Sequence, residues 1–188
     1  RSLMERLHAC GYTNARELTV QNRMAPEVLR FPNDAFYGGR LISGPHAPIK
    51  GRVSWHETEG HEEADGTSQT NAAEAEEAVR VAIEMTEELG PSVVLVSPYA
   101  AQCRLLLSKK TGLEVHTVDS FQGREADGVV LSCVRDGSKG MGLWDDERRL
   151  TVALTRARFH LAIVSTPRAW TPTSPLQKLQ SVLSSSGA

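Results

Sequence analysis

Cysteine is scarce in this chain of 188 residues: Cys10, Cys103 and Cys133 are far apart and odd in number. A disulfide framework is therefore excluded, and with no Cys-x-x-Cys pair there is no zinc-binding spacing either. All three read as reduced thiols, with Cys133, inside an apolar run, in the core. Long apolar runs are also missing, since nothing approaches the roughly 18 residues that a membrane helix needs. The stretch "RSLMERLHACGY" lacks the apolar segment of a secretory signal. The expectation is an intracellular protein, cytoplasmic or nuclear, with no membrane partner. The dipeptide Gly-Lys occurs nowhere, which rules out a phosphate-cradling loop of the form Gly-x-x-x-x-Gly-Lys-Ser/Thr. No Ser-His-Asp arrangement is recognisable by spacing. His56 and His61 stand among acids in a glycine-bearing loop without a third spaced ligand, so no metal site is expected.

What is present suits one compact domain, because a hydrophobic content of 40% in 188 residues supports a core of useful size. The net charge of −2 conceals an asymmetry. Eleven acids and one base, Arg80, lie between Ser54 and Gly90, leaving +8 on the rest. Such a body favours a polyanion partner, although basic charge is a footprint and not a site.

Helix-like and strand-like stretches alternate along the chain. A short amphipathic piece, Leu3 to Ala9, precedes "RELTV", a candidate strand ending at Val20, and Pro26 and Pro32 punctuate the stretch after it. Between Ser43 and Gly66, glycines, prolines and charges surround one strand kernel, "RVSW". From Asn71 the apolar residues Ala75, Ala78, Val79, Ala82, Ile83 and Leu89 recur at helical spacing. Glu74, Glu77, Glu84 and Glu88 fall on the other face, which reads as solvated. Asn71 with Glu74 three residues on resembles a capping box, and Gly90-Pro91 gives the stop. Next come "SVVLVSPY", an apolar run suited to a strand buried on both faces, and a helix from about Ala100 to Lys109. "EVHTV", "GVVLSCV" and "FHLAIV" are further strands, with the helical "DERRLTVALTRA" before the last. This order predicts an α/β fold with a mostly parallel central sheet. The tail "TPTSPLQKLQSVLSSSGA" holds a short helix and then frays.

Ligands of such sheets bind beyond the carboxyl ends of strands, which directs attention to the residues after Val20, Val96 and Val118. The polar clusters there are "QNRM", "SPYAAQ" and "DSFQGRE". In "RRLTVALTRARFHLAIV", Arg148 and Arg149 point about 100° apart on a helix and cannot serve one phosphate. Arg149 and Arg156, seven positions apart, are expected to share a face. Arg148 suits an ordinary ion pair with Asp145 or Glu147, and Arg158 suits support of an interface.

These stretches, with "QNRMAPEVLRFPNDAFYGGRL", "VHTVDSFQGREADGVVLSCVR" and "GTSQTNAAEAEEA", resemble the successive C-terminal motifs of superfamily 1 helicases. The resemblance is to the branch that contains the nonsense-mediated-decay helicase. It covers roughly three quarters of the chain in the family's order. It implies a RecA-like three-layer domain, the second of a two-domain motor, with the P-loop NTPase fold but without the phosphate loop. It places that domain at residues 1–170, followed by a short helix and tail at 171–188. In the family, ATP with Mg2+ is held mainly by the first RecA-like domain, which is a partner of this one, and single-stranded RNA or DNA is the other.

Carried over residue by residue, the resemblance implies that Arg23 reaches the γ-phosphate and that Arg156 is the arginine finger. A permanently charged planar fork meets the charge that phosphoryl transfer develops. Gln21, Gly123, Glu125 and Arg149 complete the implied nucleotide set, with Glu125 at the ribose. Ser97, Pro98 and Tyr99, with Thr117, Asp119 and Ser120, resemble positions that touch the backbone of the strand. Gln122 lies between the two ligands. The family's aromatic residue that packs on the base is Asn22 here and the following His is Ala25, which implies an altered nucleotide preference. The alternative to a motor is a non-catalytic, helicase-derived module that binds nucleic acid or protein.

Overall fold

The computed structural model describes residues 3–14, 16–166, 169–170, 172 and 174–186. The boundary expected at 170/171 and the fraying expected at the end of the tail fall partly on residues outside this set. In chain order, α1 (Leu3–Ala9) and β1 (Val20–Gln21) are followed by α2 (Pro26–Phe36) and β2 (Ile42–Ser43). β1 and β2 pair in parallel as a small separate sheet, so the strand expected from "RELTV" shrinks to its last residue and the one after. The prolines read as breaks are instead inside α2. Pro26 takes the first-turn position that has no intrahelical donor to lose, and Pro32 is buried within the helix.

β3 (Arg52–Glu57) is followed by an antiparallel hairpin of β4 (Glu63–Asp65) and β5 (Ser68–Thr70), turned at Gly66 with φ of 61°. The hairpin was not legible, because three-residue strands without apolar alternation leave no period. Then come α3 (Ala72–Leu89), β6 (Val93–Ser97), α4 (Ala100–Ser108), β7 (Glu114–Thr117) and β8 (Ala126–Ser132). A single 3-10 turn (Gly142–Asp145), α5 (Glu147–Leu154), β9 (Ala157–Ser165) and α6 (Pro175–Ser186) complete the chain.

The central sheet has the order β3-β9-β8-β6-β7, and each of its pairings is parallel. Its strands alternate between two cores. Val94, Val96, Val129, Leu131, Leu161 and Ile163 face a cluster completed by α2, α5, α6 and Trp144. Val93, Leu95, Val130, Ala162 and Val164 face a second cluster against α3 and α4. Burial on both sides is why these strands read as continuous apolar runs and not as alternating ones. The alanines of α3 let that helix lie close on the sheet.

Two acidic residues, Glu74 and Glu62, are exceptions to the solvated reading of the 54–90 belt. Glu74 is fully buried, with Oε2 accepting from Val134 N at 2.6 Å and Ser132 Oγ at 3.1 Å. Asn71 caps the helix as expected, accepting from Glu74 N at 3.1 Å, but the Glu74 carboxylate does not return to Asn71. Gln102 takes that amide at 2.9 Å. Burial pushes the Glu74 carboxyl up to about 8, against the pull of its hydrogen bonds to Val134 and Ser132. Glu62 is buried too, in an ion pair with Arg135 at 3.1 Å.

On the α3 face of β3 and β9, His160 lies within 3.1 Å of Arg52 and 2.9 Å of Ser54 Oγ, which also contacts His56 at 3.0 Å. Burial first, then the charge of Arg52, lowers His160 to about 4. A histidine held neutral stabilises the fold above its ordinary value of about 6.5. That contribution is lost as the pH falls from there toward 4. Urea unfolding between pH 7 and pH 4 is expected to show a loss on the order of 2–3 kcal/mol from this site. A His160→Gln protein is expected to lack that part of the acid limb.

Candidate functional site

The sequence-predicted residues gather at two opposite edges of the sheet. β8 and β9 run parallel, so α5 between them must return from the carboxyl edge to the amino edge. Its first turn therefore lies at one edge and its last turn at the other. The 118–125 connection makes the same crossing, from the end of β7 to the start of β8.

At the amino edge, the last turn of α5 collects arginines. Arg156 follows the helix, which ends at Leu154, so the helical face it was expected to share with Arg149 does not exist. Its Nε donates to Val152 O at 2.9 Å, Nη1 to Arg124 O at 3.2 Å and Nη2 to Thr155 Oγ1 at 3.0 Å. Arg23 donates from Nη1 to Thr155 O at 3.0 Å and from Nε to Glu125 Oε2 at 2.7 Å. Both carbonyls lie at the helix end, where acceptor capacity is left over: Val152 O takes only the cap amide of Thr155 at 3.3 Å besides Arg156 and the Thr155 hydroxyl. The negative pole of the helix offsets part of the repulsion between two cations placed together. Burial first, and the charge of Arg23 second, hold the Arg156 guanidinium below its ordinary value, yet it stays protonated at any physiological pH.

Local structure delivers Arg23 to this edge. The Gln21 side chain accepts from the amides of Arg23 at 2.9 Å and Met24 at 2.7 Å, and donates to Met24 O at 2.9 Å. Gln21 is thus engaged in shaping the turn that carries Arg23. Ala25 N then donates to Arg158 O at 2.8 Å. A register shift frees that carbonyl: Ala126 opposes Ala157, but Gly128 opposes His160, which leaves one extra residue on β9. Gly51 has no room for a side chain, because a Cβ there would stand 2.4 Å from Phe159 O and 2.5 Å from Ala25 Cβ. Arg158 pairs with Asp127 at 2.9 Å and stands 3.8 Å from Glu125. Asn22 turns to the loop after β2, accepting from His46 N at 3.2 Å.

At the carboxyl edge, Asp119 receives a fork from Arg149, with Nε at 3.0 Å and Nη2 at 3.1 Å. Arg149, which the sequence placed in the nucleotide set, has Asp146 as its other ion-pair partner. Thr117 and Ser120 close a reciprocal turn: Thr117 N donates to Ser120 Oγ at 3.0 Å and Ser120 N to Thr117 Oγ1 at 3.1 Å. Ser120, Asp119 and Gln122 are exposed, whereas Ser97, Pro98 and Tyr99 are buried. Tyr99 is 6% exposed, and its hydroxyl accepts from Leu143 N at 3.4 Å. Tyr99 thus supports the 134–146 segment, while Ser97 Oγ accepts from Tyr99 N at 3.4 Å. Gly123, with φ of 85°, and Gln122 sit on the connection that joins the two edges.

Thr155 and the Asn71–Gln102–Ser132–Glu74 network escaped the sequence reading. A threonine before a functional arginine carries no separate signal, and a glutamate in an acidic helix reads as surface.

The parallel five-stranded sheet with helices on both faces defines a RecA-like α/β domain. A family model described as "AAA domain" matches residues 1–168, and the chain belongs to that family. It is 37% identical over 191 residues to "Regulator of nonsense transcripts 1" of Dictyostelium discoideum, a match covering 87% of this chain and 14% of that protein. It is 36% identical over 197 residues to "ATP-dependent helicase NAM7" of Saccharomyces cerevisiae, covering 89% of this chain and 20% of that one. The chain therefore spans a fifth or less of the length of these two relatives. Among solved structures, the C-terminal domain of a possible DNA helicase from Lactobacillus plantarum WCFS1 has the same fold. That likeness has a TM-score of 0.51 at 13% identity, over 81% of this chain and 91% of that one. Among the described residues, no helix is long and apolar enough to cross a membrane, and no group of three or more His, Cys, Asp or Glu is gathered as a metal would need.

Proposed function

We propose that this chain is the C-terminal motor domain of an ATP-dependent RNA or DNA helicase. In this reading it completes an ATP site at the amino edge and touches single-stranded nucleic acid at the carboxyl edge. The motor half spans residues 1–170, with the segment 171–188 following it. One observation carries the reading: Arg23 and Arg156, far apart in sequence, converge on the same helix end with Glu125.

Two permanent cations beside one carboxylate fit a terminal phosphate and a ribose hydroxyl, and do not fit Mg2+. The metal and most of the nucleotide are therefore assigned to a first RecA-like domain, a partner of this one. ATP supplies the phosphoryl group whose equatorial oxygens gain charge as the bond to the leaving group lengthens. Arg156 meets that charge with donors already fixed in place, so little reorganisation accompanies the reaction. Arg23 exchanges the Glu125 carboxylate for phosphate oxygens, which frees Glu125 for the ribose. Gln21 holds the turn that aims Arg23, and Gly123 lets the connection bend beside Glu125. At the other edge, Thr117, Ser120 and Gln122 offer short neutral donors to strand phosphates. The Arg149–Asp119 fork sets the shape of that turn. Because Asp119 and Glu125 lie on one connection, a strand at one edge and nucleotide at the other act on the same short segment.

The chain alone lacks a phosphate loop, so a colorimetric phosphate assay is expected to detect no ATP turnover by these 188 residues. Robust turnover by the isolated chain would sink the half-motor reading.

A further inference from the structure

Thr155 is 3% exposed and touches both arginines at once. Its carbonyl accepts from Arg23 Nη1 at 3.0 Å, and its hydroxyl oxygen accepts from Arg156 Nη2 at 3.0 Å. The hydroxyl proton is already committed, since Oγ1 donates to Thr151 O at 2.8 Å, one turn back along α5. That bond turns a lone pair of Oγ1 toward Arg156. The residue ends α5, with φ of −109° and ψ of 16°, and its carbonyl has left the helical ladder. Val152 O and Arg124 O also hold Arg156, and Glu125 also holds Arg23, but Thr155 alone bonds to both guanidiniums and so sets the separation of the two like charges.

We propose that Thr155 is a positioning residue for the reaction, fixing the Arg156 and Arg23 guanidiniums at a spacing that lets both meet one phosphate. The inference rests on the proposed function. The hydroxyl acts on Arg156 and the carbonyl on Arg23, so the two roles separate on substitution. Valine keeps the branched shape and the carbonyl but removes the acceptor for Arg156. Serine keeps the acceptor and removes only a methyl. A group that fixes donors for the transition state moves kcat and leaves ground-state binding alone.

The test is strand-stimulated ATPase of the full-length protein, with the parent, Thr155→Val, Thr155→Ser and Arg156→Ala compared at equal folded concentration. Thr155→Val is expected to lower kcat by about 10-fold, with KM for ATP changed by no more than about twofold. Thr155→Ser is expected to return kcat to within about threefold of the parent, with the melting temperature of both close to the parent value. Parent-like turnover in Thr155→Val beside a disabled Arg156→Ala would overturn the assignment and leave the proposed function standing. A serine variant that fails to recover, or a loss that follows the melting temperature, would also overturn it. Parent-like turnover in Arg156→Ala instead removes the arginine-finger role of Arg156 on which the inference rests.

Discussion

Replacing Arg156 by alanine in the full-length protein is expected to lower strand-stimulated ATP turnover by about 10³-fold or more, the usual worth of an arginine finger. The guanidinium is held by Val152 O, Arg124 O and Thr155 Oγ1, so each of its nitrogens is oriented before any ligand arrives. Alanine removes both the charge and that preset geometry. Lysine at the same position restores the charge alone, because an ammonium cannot reproduce a planar fork bonded from three nitrogens. Arg156→Lys is therefore expected to recover little of the lost rate. Binding of a fluorescent single strand, read by anisotropy, is expected to stay within about twofold, since the residues proposed to touch the strand lie at the opposite edge. A variant with parent-like turnover would remove Arg156 from the reaction.

The second large effect concerns stability. The Glu74 carboxyl, at about 8, stands far above its ordinary value of 4.5. The folded state keeps the proton over a range in which the unfolded chain has released it. Its contribution is therefore complete below about 4.5 and is lost as the pH rises through 8. The window spans a change on the order of 3–5 kcal/mol. Glu74→Gln keeps an oxygen to accept from Val134 N and Ser132 Oγ and carries no titrating group. Urea midpoints at pH 5, 7 and 9 are expected to fall steeply with rising pH in the parent and far less in the variant. At pH 9 the variant is expected to be the more stable of the two. Equal slopes in both proteins would show that Glu74 is not the buried acid responsible.

The strands of the central sheet were legible because each is an apolar run, and double-sided burial is what such runs report. Asn71 announced the start of α3 because a cap has a local chemical cause. Pro32 misled, since a proline inside a helix costs one bond and tertiary packing of Val28 and Leu29 outweighs it. Glu74 misled for the opposite reason: helical periodicity assigns a face, and no periodicity reveals a partner such as Val134 N waiting beneath it. For the site, the motif order located Arg23, Glu125 and Arg156, and the fold brings these three together. The rule that ligands sit at carboxyl strand ends singled out "QNRM" and "DSFQGRE", although Arg23 and Glu125 within them lie at the amino edge and Thr117 and Ser120 at the carboxyl edge. The face that Arg149 was expected to share with Arg156 is absent because counting seven residues assumed a helix that stops at Leu154. For Ser97, Pro98 and Tyr99 the resemblance implied contact with the strand, whereas all three are buried and the Tyr99 hydroxyl meets Leu143 N.

The central claim is that two arginines of this chain complete a nucleotide site that another domain begins. It is tested most directly by ATP turnover of the full-length protein with and without a single-stranded oligonucleotide, beside this 188-residue chain alone. The account predicts strand-stimulated turnover in the full-length protein and none in the isolated chain. Turnover by the chain alone, or a folded full-length protein that binds strand and never hydrolyses ATP, would contradict it.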